Sequence, residues 1–578
     1  MTDQKNLILT IAISVAILFG FHFFYERPRQ QAAQAELQRQ QALQVEQGQV
    51  PSTVPQAGTI PGASDGMGGA ARERGDVLAE NARVRVNTPS LHGSINLRGG
   101  RIDDLTLAKY NTTPEKGSPE VVLLSPLGGA DPYFAEFGWL AAGGPAVNLP
   151  KSDSIWTASA DTLTPGNPIT LTFDNGEGLV FERTIAVDEN YMFTITERVR
   201  NESGSALNLQ PYGFVQRRGA PHTSGMYILH EGPLGVLDGT LKEFKYKDLK
   251  EDGKTETLKS TGGWIGITDK YWLVSLIPDQ SAPIEARVLH QQVGGDLYQV
   301  DFRGTQAITV APGSTAENTS RLFAGAKVVS LLDEYSDKLN IADLNYAIDW
   351  GWFYFLTIPF FHALDFLGRM LGNFGLAILA FTVVLRLAFF PIANKQFEAF
   401  AKMKKLQPKM EELKKKHGDN REALSMAMMK LYREEKANPL AGCLPILLQI
   451  PVFFALYKVL YVTIEMRHAP FYGWINDLSA PDPTTLFNLF GLIPWDPPSF
   501  LHIGILPLLM GITMWLQQKM NPSNPDPVQQ KVFMLLPLIF TYMMASFPAG
   551  LVIYWTWSNL LSILQQWVIM RRMGVKPT

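Results

Sequence analysis

Apolar residues in this 578-residue chain are gathered into one run near the start, Leu7 to Tyr25, and five more at about 373–393, 441–463, 501–518, 532–547 and 550–570. The first run spans 19 residues, which at about 1.5 Å each reach roughly 28 Å, close to the hydrocarbon thickness of a bilayer. Six membrane-spanning helices are therefore expected, with 1–29 as an N-terminal anchor. A cleavable signal is the competing reading of the first run, because Ala33-Gln34-Ala35 offers a small-x-small site. Against it, an h-region covers about 7–15 residues, and Glu26, Arg27 and Arg29 intervene before that site.

Charge assigns sides to the spans. The net charge of −3 conceals a strong segregation. The loop 394–440 holds twelve Lys and Arg, whereas 464–500 holds only Arg467. Lys519 and Lys531 flank the next short loop, and the tail carries Arg571, Arg572 and Lys576. Positive loops stay in the cytoplasm, so 394–440, 519–531 and both termini are expected there. The region between the first two spans and the loop 464–500 are expected outside. Cys443 is the single cysteine, which excludes an internal disulfide framework.

Residues 30–75 are rich in Gln, Ala, Gly and Pro and poor in large apolar side chains. They read as a flexible linker, unable to bury enough surface to offset ordering. From about 76 to 328 the pattern becomes short alternating runs such as Ile169–Phe173, Leu179–Ile185, Tyr191–Thr196 and Tyr298–Phe302. Turns are expected at Asp174-Asn175-Gly176 and Asp188-Glu189-Asn190, giving antiparallel hairpins in one large β-sandwich. His92, His222, His230 and His290 fall in this region, but their spacing matches no metal-ligand motif. No metal site is expected.

In 340–371, Trp350, Trp352, Tyr354, Phe360 and Phe361 are membrane-interface types, while His362, Asp365 and Arg369 share one helical face. That combination describes an amphipathic helix lying in the interface plane; a seventh crossing is the alternative, in which Asp365 and Arg369 would be costly. The loop 394–440 reads as two helices broken at His417-Gly418-Asp419-Asn420, an antiparallel cytoplasmic hairpin of net charge +5. Its methionines offer adaptable apolar surface, and Met403, Lys404, Lys405, Met410 and Met428 are the candidate docking residues.

No nucleotide-binding, hydrolase or metalloprotease motif is present. Gly253-Lys254-Thr255 resembles the end of a phosphate loop, but Asp248 stands where the earlier glycine is required. No cofactor and no catalytic residue is expected. What remains is Arg386, a lone cation in the apolar run Gly375 to Ala393, with no Asp or Glu in any expected span. Its insertion costs roughly 2.5–3.5 kcal/mol on the mildest scale. Such a residue either meets water or serves a passing anion. Arg386 lies about 12 Å from the cytoplasmic end at Asn394, too deep for simple snorkelling, whereas Lys458 is about 8 Å from the outer end and can snorkel. Thr382 is one turn from Arg386; Gln449 is mid-span; Tyr554, Ser558, Asn559, Ser562, Gln565 and Gln566 line the last run. Together they describe a hydrated groove open toward the cytoplasm. A small-solute transporter or channel, and a tethered carbohydrate enzyme, are the alternatives.

Three strings narrow this further: Thr382-Val-Val-Leu-Arg386 with Phe390-Pro391, the run Asn438 to Pro451 (NPLAGCLPILLQIP), and Phe547-Pro-Ala-Gly-Leu551 followed by Tyr554. In these the chain resembles the YidC/Oxa/Alb family of membrane protein insertases, in its Gram-negative bacterial branch. The resemblance covers about 340–570 by motif and the whole chain by segment order. It implies a multi-domain membrane protein: an α-helical polytopic bundle of six transmembrane helices, five of them (372–571) forming the insertase core, plus a large all-β periplasmic supersandwich. It implies an insertase and chaperone of the cell inner membrane. Its partners would be nascent membrane proteins, the lipid bilayer, the Sec translocon, the signal recognition particle and its receptor, and the ribosome. The family's groove arginine maps onto Arg386, its threonine onto Thr382, and its aromatic groove position onto Tyr554 or Trp555. Gln449 and Ser558 complete the expected groove. The tail departs from relatives with long basic extensions, since it ends at Thr578 after three basic residues, so ribosome docking through the tail is not expected.

Overall fold

In a computed structural model of the chain, the described residues are 60, 72–143, 147–221, 229–253, 255–417, 420–435, 444–495, 497–498, 501–521 and 527–575. The expected anchor at 1–29 and nearly all of the linker at 30–75 lie outside them, as do His222 and Cys443.

Period-two alternation builds the β region as two sheets, with 11 and 9 strands among the described residues. In the smaller sheet, Leu179–Val187 pairs antiparallel with Met192–Asn201, setting Ile185 opposite Ile195. Asp188 closes that hairpin by accepting from the backbone N–H of Asn190 at 2.9 Å and Met192 at 3.0 Å. Ile169–Asp174 joins the same sheet through the other expected turn, where Gly176 adopts φ +72°. The larger sheet centres on Leu207–Arg218, between Tyr133–Ala141 and Asp296–Gly304. Among the described strands one pairing departs from the antiparallel rule, where Arg85 and Val86 run parallel to Thr162 and Leu163, and the isolated bridge between Arg72 and Gly129 is parallel as well.

Ion pairs lie buried in the sandwich, among them Arg183–Glu197 at 2.9 Å and Arg101–Glu136 at 2.6 Å. Arg183 also donates to the Gly100 carbonyl at 2.9 Å and lies over the Trp156 ring. Removed from water, each guanidinium is held only because its partners match its donors. The histidines are dispersed: His92 meets Glu120, His290 meets Asp296, and the His230 ring meets the Pro233 carbonyl.

The last strand, Thr315–Ala326, leads into helix α1 (Val329–Leu339) and then into a helical region. This comprises α2 (Tyr354–Leu371), α3 (Phe374–Ala388), α4 (Phe390–His417), α5 (Arg421–Glu434), α6 (Leu444–Val462), α7 (Ile505–Met520), α8 (Pro527–Met544) and α9 (Ala549–Arg572). Each of the five apolar runs expected after residue 372 coincides with one of these, α3 and α6 to α9. Among the described residues no single helix is both long and apolar enough to cross a membrane; α3 with α4 is, but the two meet at a bend of 70°. The expected span 373–393 is thus broken. Pro391 lacks an N–H and restricts Phe390 before it, so α3 stops at Ala388 and a new helix starts.

In α2, Thr357, Phe361, Leu364 and Gly368 form the buried stripe, and Asp365 pairs with Arg369 at 2.9 Å away from it. Trp352, Tyr354, Phe355 and Phe366 are exposed. One buried apolar cluster runs from the sandwich through Leu332, Leu344 and Trp350 to Phe361, Ile378 and Leu551. Polar contacts reinforce it. Glu465, just beyond α6, accepts from the Val329 N–H at 3.1 Å, and Arg467 donates to the Asn111 carbonyl at 2.6 Å. Lys458, expected to snorkel, instead pairs with Asp349 at 2.7 Å.

Residues 408–437 form a unit of their own. Within it the Asn420 side chain caps α5 by accepting from Ala423 N–H at 3.1 Å, and Lys409 meets Glu435 at 2.6 Å. Met410 and Met428, expected on a docking surface, are buried, with the Tyr432 hydroxyl against the Met410 sulfur at 3.9 Å. The methionines left exposed there are Met426 and Met429. The helical stripe that carries Met410 and Met428 is the apolar one, so the same spacing that marked them also turns them inward.

Candidate functional site

Helix α3 is positioned at both ends. The Asn373 side chain accepts from the Leu376 N–H at 3.0 Å, satisfying an otherwise orphaned donor. Gly375, Ala377, Ile378, Phe381 and Thr382 make the buried face, while Val383, Val384 and Leu387 point outward. Arg386 falls in the last turn, two residues before the helix ends. It is therefore closer to a helix terminus than the expected span placed it. A cation there also meets the negative end of the helix dipole, worth about 0.3–1 kcal/mol.

The guanidinium is half-buried. Its Nη2 donates to the carbonyl of Ser558 on α9 at 3.0 Å, and also to the Ser558 hydroxyl. Among the described residues, Nη1 and Nε have no protein acceptor, and no carboxylate comes within ion-pair distance. Arg386 opens onto a cleft of about 490 Å³, whose lining includes Thr382, Gln449, Tyr554 and Ser558. Gln449 of α6 donates to the Tyr554 hydroxyl at 3.2 Å, tying α6 to α9 across the cleft. The Thr382 hydroxyl donates back to the Ile378 carbonyl at 2.6 Å, so its proton is used within α3.

Five of the six expected groove residues thus share one cavity. Trp555 does not: it packs edge-on against Phe453 at 5.0 Å and Phe540 at 5.3 Å. Adjacent residues on a helix point about 100° apart, so the Tyr554 position excludes its neighbour. The other polar groups of α9 divide similarly. Asn559 donates to Thr513 and Gln566 to Asn521, both at 3.1 Å, which is helix–helix packing against α7 and its end. Gln565 donates to Asn394 at 2.8 Å. Leu385, Phe389, Ile392, Ala393, Gln396 and Val452 also line the cleft and were not expected. The signal that could have found most of them is Pro391, which bends the chain around the cavity.

The lining carries one full charge, positive, and no acid among the described residues. Such a site can hold an anionic or hydrogen-bond-accepting group beside apolar walls. It offers no nucleophile paired with a base.

Residues 83–363 match the family model described as the YidC periplasmic domain, and residues 366–576 match the one described as 60Kd inner membrane protein. A protein of Methylobacterium sp. (strain 4-46) named membrane protein insertase YidC is 51% identical over 607 residues, covering 99% of this chain and 96% of the relative. One of the same name from Rhizobium meliloti (strain 1021) is 51% identical over 581 residues, covering 100% and 97%. Another from Methylorubrum extorquens (strain PA1) is 50% identical over 599 residues, covering 99% and 96%.

Proposed function

The chain belongs to the YidC family of membrane protein insertases, and we propose that it inserts client chains into the inner membrane through the Arg386 cleft. The observation that carries this reading is the half-buried guanidinium, anchored by Ser558, whose Nη1 and Nε meet no acceptor and no acid among the described residues. A short hydrophilic segment of an incoming chain enters the cleft, and a carboxylate or carbonyl on it accepts from those free N–H groups. In a recess shielded from water such a charge-assisted contact is stronger than in solution. The client's apolar segment then partitions into lipid, each Leu, Ile, Phe or Val contributing about −0.3 to −0.6 kcal/mol. The membrane potential adds about 2.3 kcal/mol per charge per 100 mV. No nucleotide is required.

In this reading α3 and α6 to α9, with the N-terminal run, make six spans. The β domain and 464–500 face the periplasm, and the α4–α5 hairpin faces the cytoplasm. The exposed aromatic face of α2 rests in the membrane interface. The hairpin's exposed lysines and methionines are the surface for the signal recognition particle, its receptor and the ribosome, and the Sec translocon is a partner within the membrane.

Photocrosslinking tests the cleft. Probes at Gln449 and Ile392 should capture a stalled nascent membrane protein, with capture strongest for clients whose exported segments are acidic. Absence of client adducts from both positions, in protein that still inserts those clients, would remove the cleft from the mechanism. The transporter alternative predicts solute uptake by vesicles holding the protein and no nascent chain; this reading predicts none.

A further inference from the structure

The loop between α6 and α7 contains a tongue, described at residues 485–495, 497–498 and 501–503, whose base is fixed and whose tip, 487–495, is apolar. At the base, Thr485 Oγ1 donates to the Leu501 carbonyl at 3.0 Å and Leu486 N–H donates to the Ile503 carbonyl at 2.9 Å. Asp482 accepts from Trp474 Nε1 at 3.1 Å, from Thr484 N–H at 3.0 Å, and from Leu506 N–H in the first turn of α7 at 2.8 Å. Thr484 Oγ1 accepts from Ile505 N–H at 3.0 Å. The tongue is therefore stapled to the start of α7.

Its tip presents Phe487, Leu489, Phe490, Leu492, Ile493 and Trp495, all exposed, Leu492 at 84%. Two consecutive bulky residues there are left-handed, Leu489 at φ 49° and Phe490 at φ 58°. That conformation is costly for residues with large side chains. It is held by Phe490 N–H donating to the Thr485 carbonyl at 2.9 Å and Ile493 N–H to the Asn488 carbonyl at 3.0 Å. A soluble surface does not hold strain in order to expose large apolar side chains.

The chemistry of the tip selects the occupant. No charged residue stands between Asp482 and Asp496, so the tip carries no full charge whose desolvation would oppose its entry into hydrocarbon. Directly after the tongue, α7 continues an exposed apolar stripe, Leu509, Ile512 and Leu516, at the outward spacing of a lipid-facing helix. Arg467, earlier in the same loop, bonds to Asn111 of the sandwich, which places this loop on the β-domain side. We infer that the tongue tip inserts into the bilayer leaflet on the β-domain side, with Leu492 in the acyl region and Trp495 near the headgroups. This rests on the orientation proposed above.

The test uses the full chain in vesicles of phosphatidylethanolamine and phosphatidylglycerol, with a photoreactive phenylalanine analogue at Leu492 and, separately, at Asn175 in a β-domain turn. On illumination the Leu492 protein should gain the mass of one phospholipid, and the Asn175 protein should not. The same vesicles are assayed for client insertion, so a failed insertase reading is seen separately from a failed tongue. Insertion with no lipid adduct at Leu492, or with a client adduct there instead, overturns the inference. A Leu492→Asp variant should also release the tip to water, reducing lipid adducts from a probe at Ile493; unchanged labelling at Ile493 would count against insertion of the tip.

Discussion

Arg386 Nη2 and the carbonyl of Ser558 lie 3.0 Å apart although 172 residues separate them in sequence. The bond joins the end of α3 to the middle of α9. It directs one edge of the guanidinium into the protein and leaves the other for the cleft. A carbonyl and a hydroxyl are neutral acceptors, so they orient the cation without discharging it, as a carboxylate would. A permanent acid at Ser558 would compete with any client.

Arg386→Ala should reduce insertion of clients with acidic exported segments by about tenfold or more, since hydrogen bonds to charged groups contribute about 1.5–3 kcal/mol. Arg386→Lys should keep part of the activity, because the charge remains while the paired N–H geometry is lost. Protease protection of a labelled client in reconstituted vesicles measures both. Normal insertion by both variants would end the groove-charge model.

Glu465 makes the union of β domain and bundle pH-dependent. Burial pushes its carboxyl up to about 7 from an ordinary 4.5, the Val329 N–H opposing that shift, with Asp365 adding to it and Arg369 opposing it. Tyr110 also faces it. A raised folded value means more protons bound in the native state, so this contribution is complete below about pH 4.5 and is lost as pH rises through about 7. Melting temperature should therefore fall over that window and level off above it. Glu465→Gln should flatten the slope while keeping an acceptor for Val329. An equal slope in the variant would assign the effect to another group.

Lys458 and Asp349 should prove coupled. Their side chains are 10% and 23% exposed, so the loss on Lys458→Ala is set at about 1–3 kcal/mol, below the 3–5 kcal/mol of a fully buried pair. Asp349 retains His230 N–H and Gly351 N–H, each at 3.0 Å, which limits the cost. The double variant Lys458→Met, Asp349→Leu should lose less than the two single losses added. Strict additivity in thermal unfolding would show that the pair contributes nothing as a pair.

Gly511 brings α7 against α8. A Cβ there would sit 2.1 Å from the Thr541 hydroxyl oxygen, itself bonded to the Pro537 carbonyl at 2.7 Å. Gly511→Val should force the helices apart and cost about 1–3 kcal/mol, the usual range for overpacking. A Gly511→Ala variant should show the same sign with a smaller drop in melting temperature, and a neutral Gly511→Val would show that α8 yields freely.

Much of the chain's plan follows from residue order because the relevant forces are local and periodic. Alternation every two residues gave the hairpins at Asp174 and Asp188, and the break at His417-Gly418-Asp419-Asn420 marked where α5 follows α4. Arg386, Thr382, Gln449, Tyr554 and Ser558 were legible as a set because polar groups in apolar runs are few and costly. The buried partners of Arg183 were not, although its place between Phe181 and Ile185 on the inward face of a strand was a readable warning. The exposed tongue at Leu492 was not legible, since an apolar loop has no period.

Sequence alone determined which segments are apolar and that Arg386 would sit in one of them with no acid in any expected span, because composition and short-range periodicity do not depend on the rest of the fold. Tertiary structure decided the remainder: that α3 ends at Ala388, that Lys458 finds Asp349, that Met410 and Met428 turn inward, and that Tyr554 rather than Trp555 meets Arg386. Those outcomes depend on which distant surface each side chain packs against. That is a matter of three-dimensional complementarity, which no local pattern encodes.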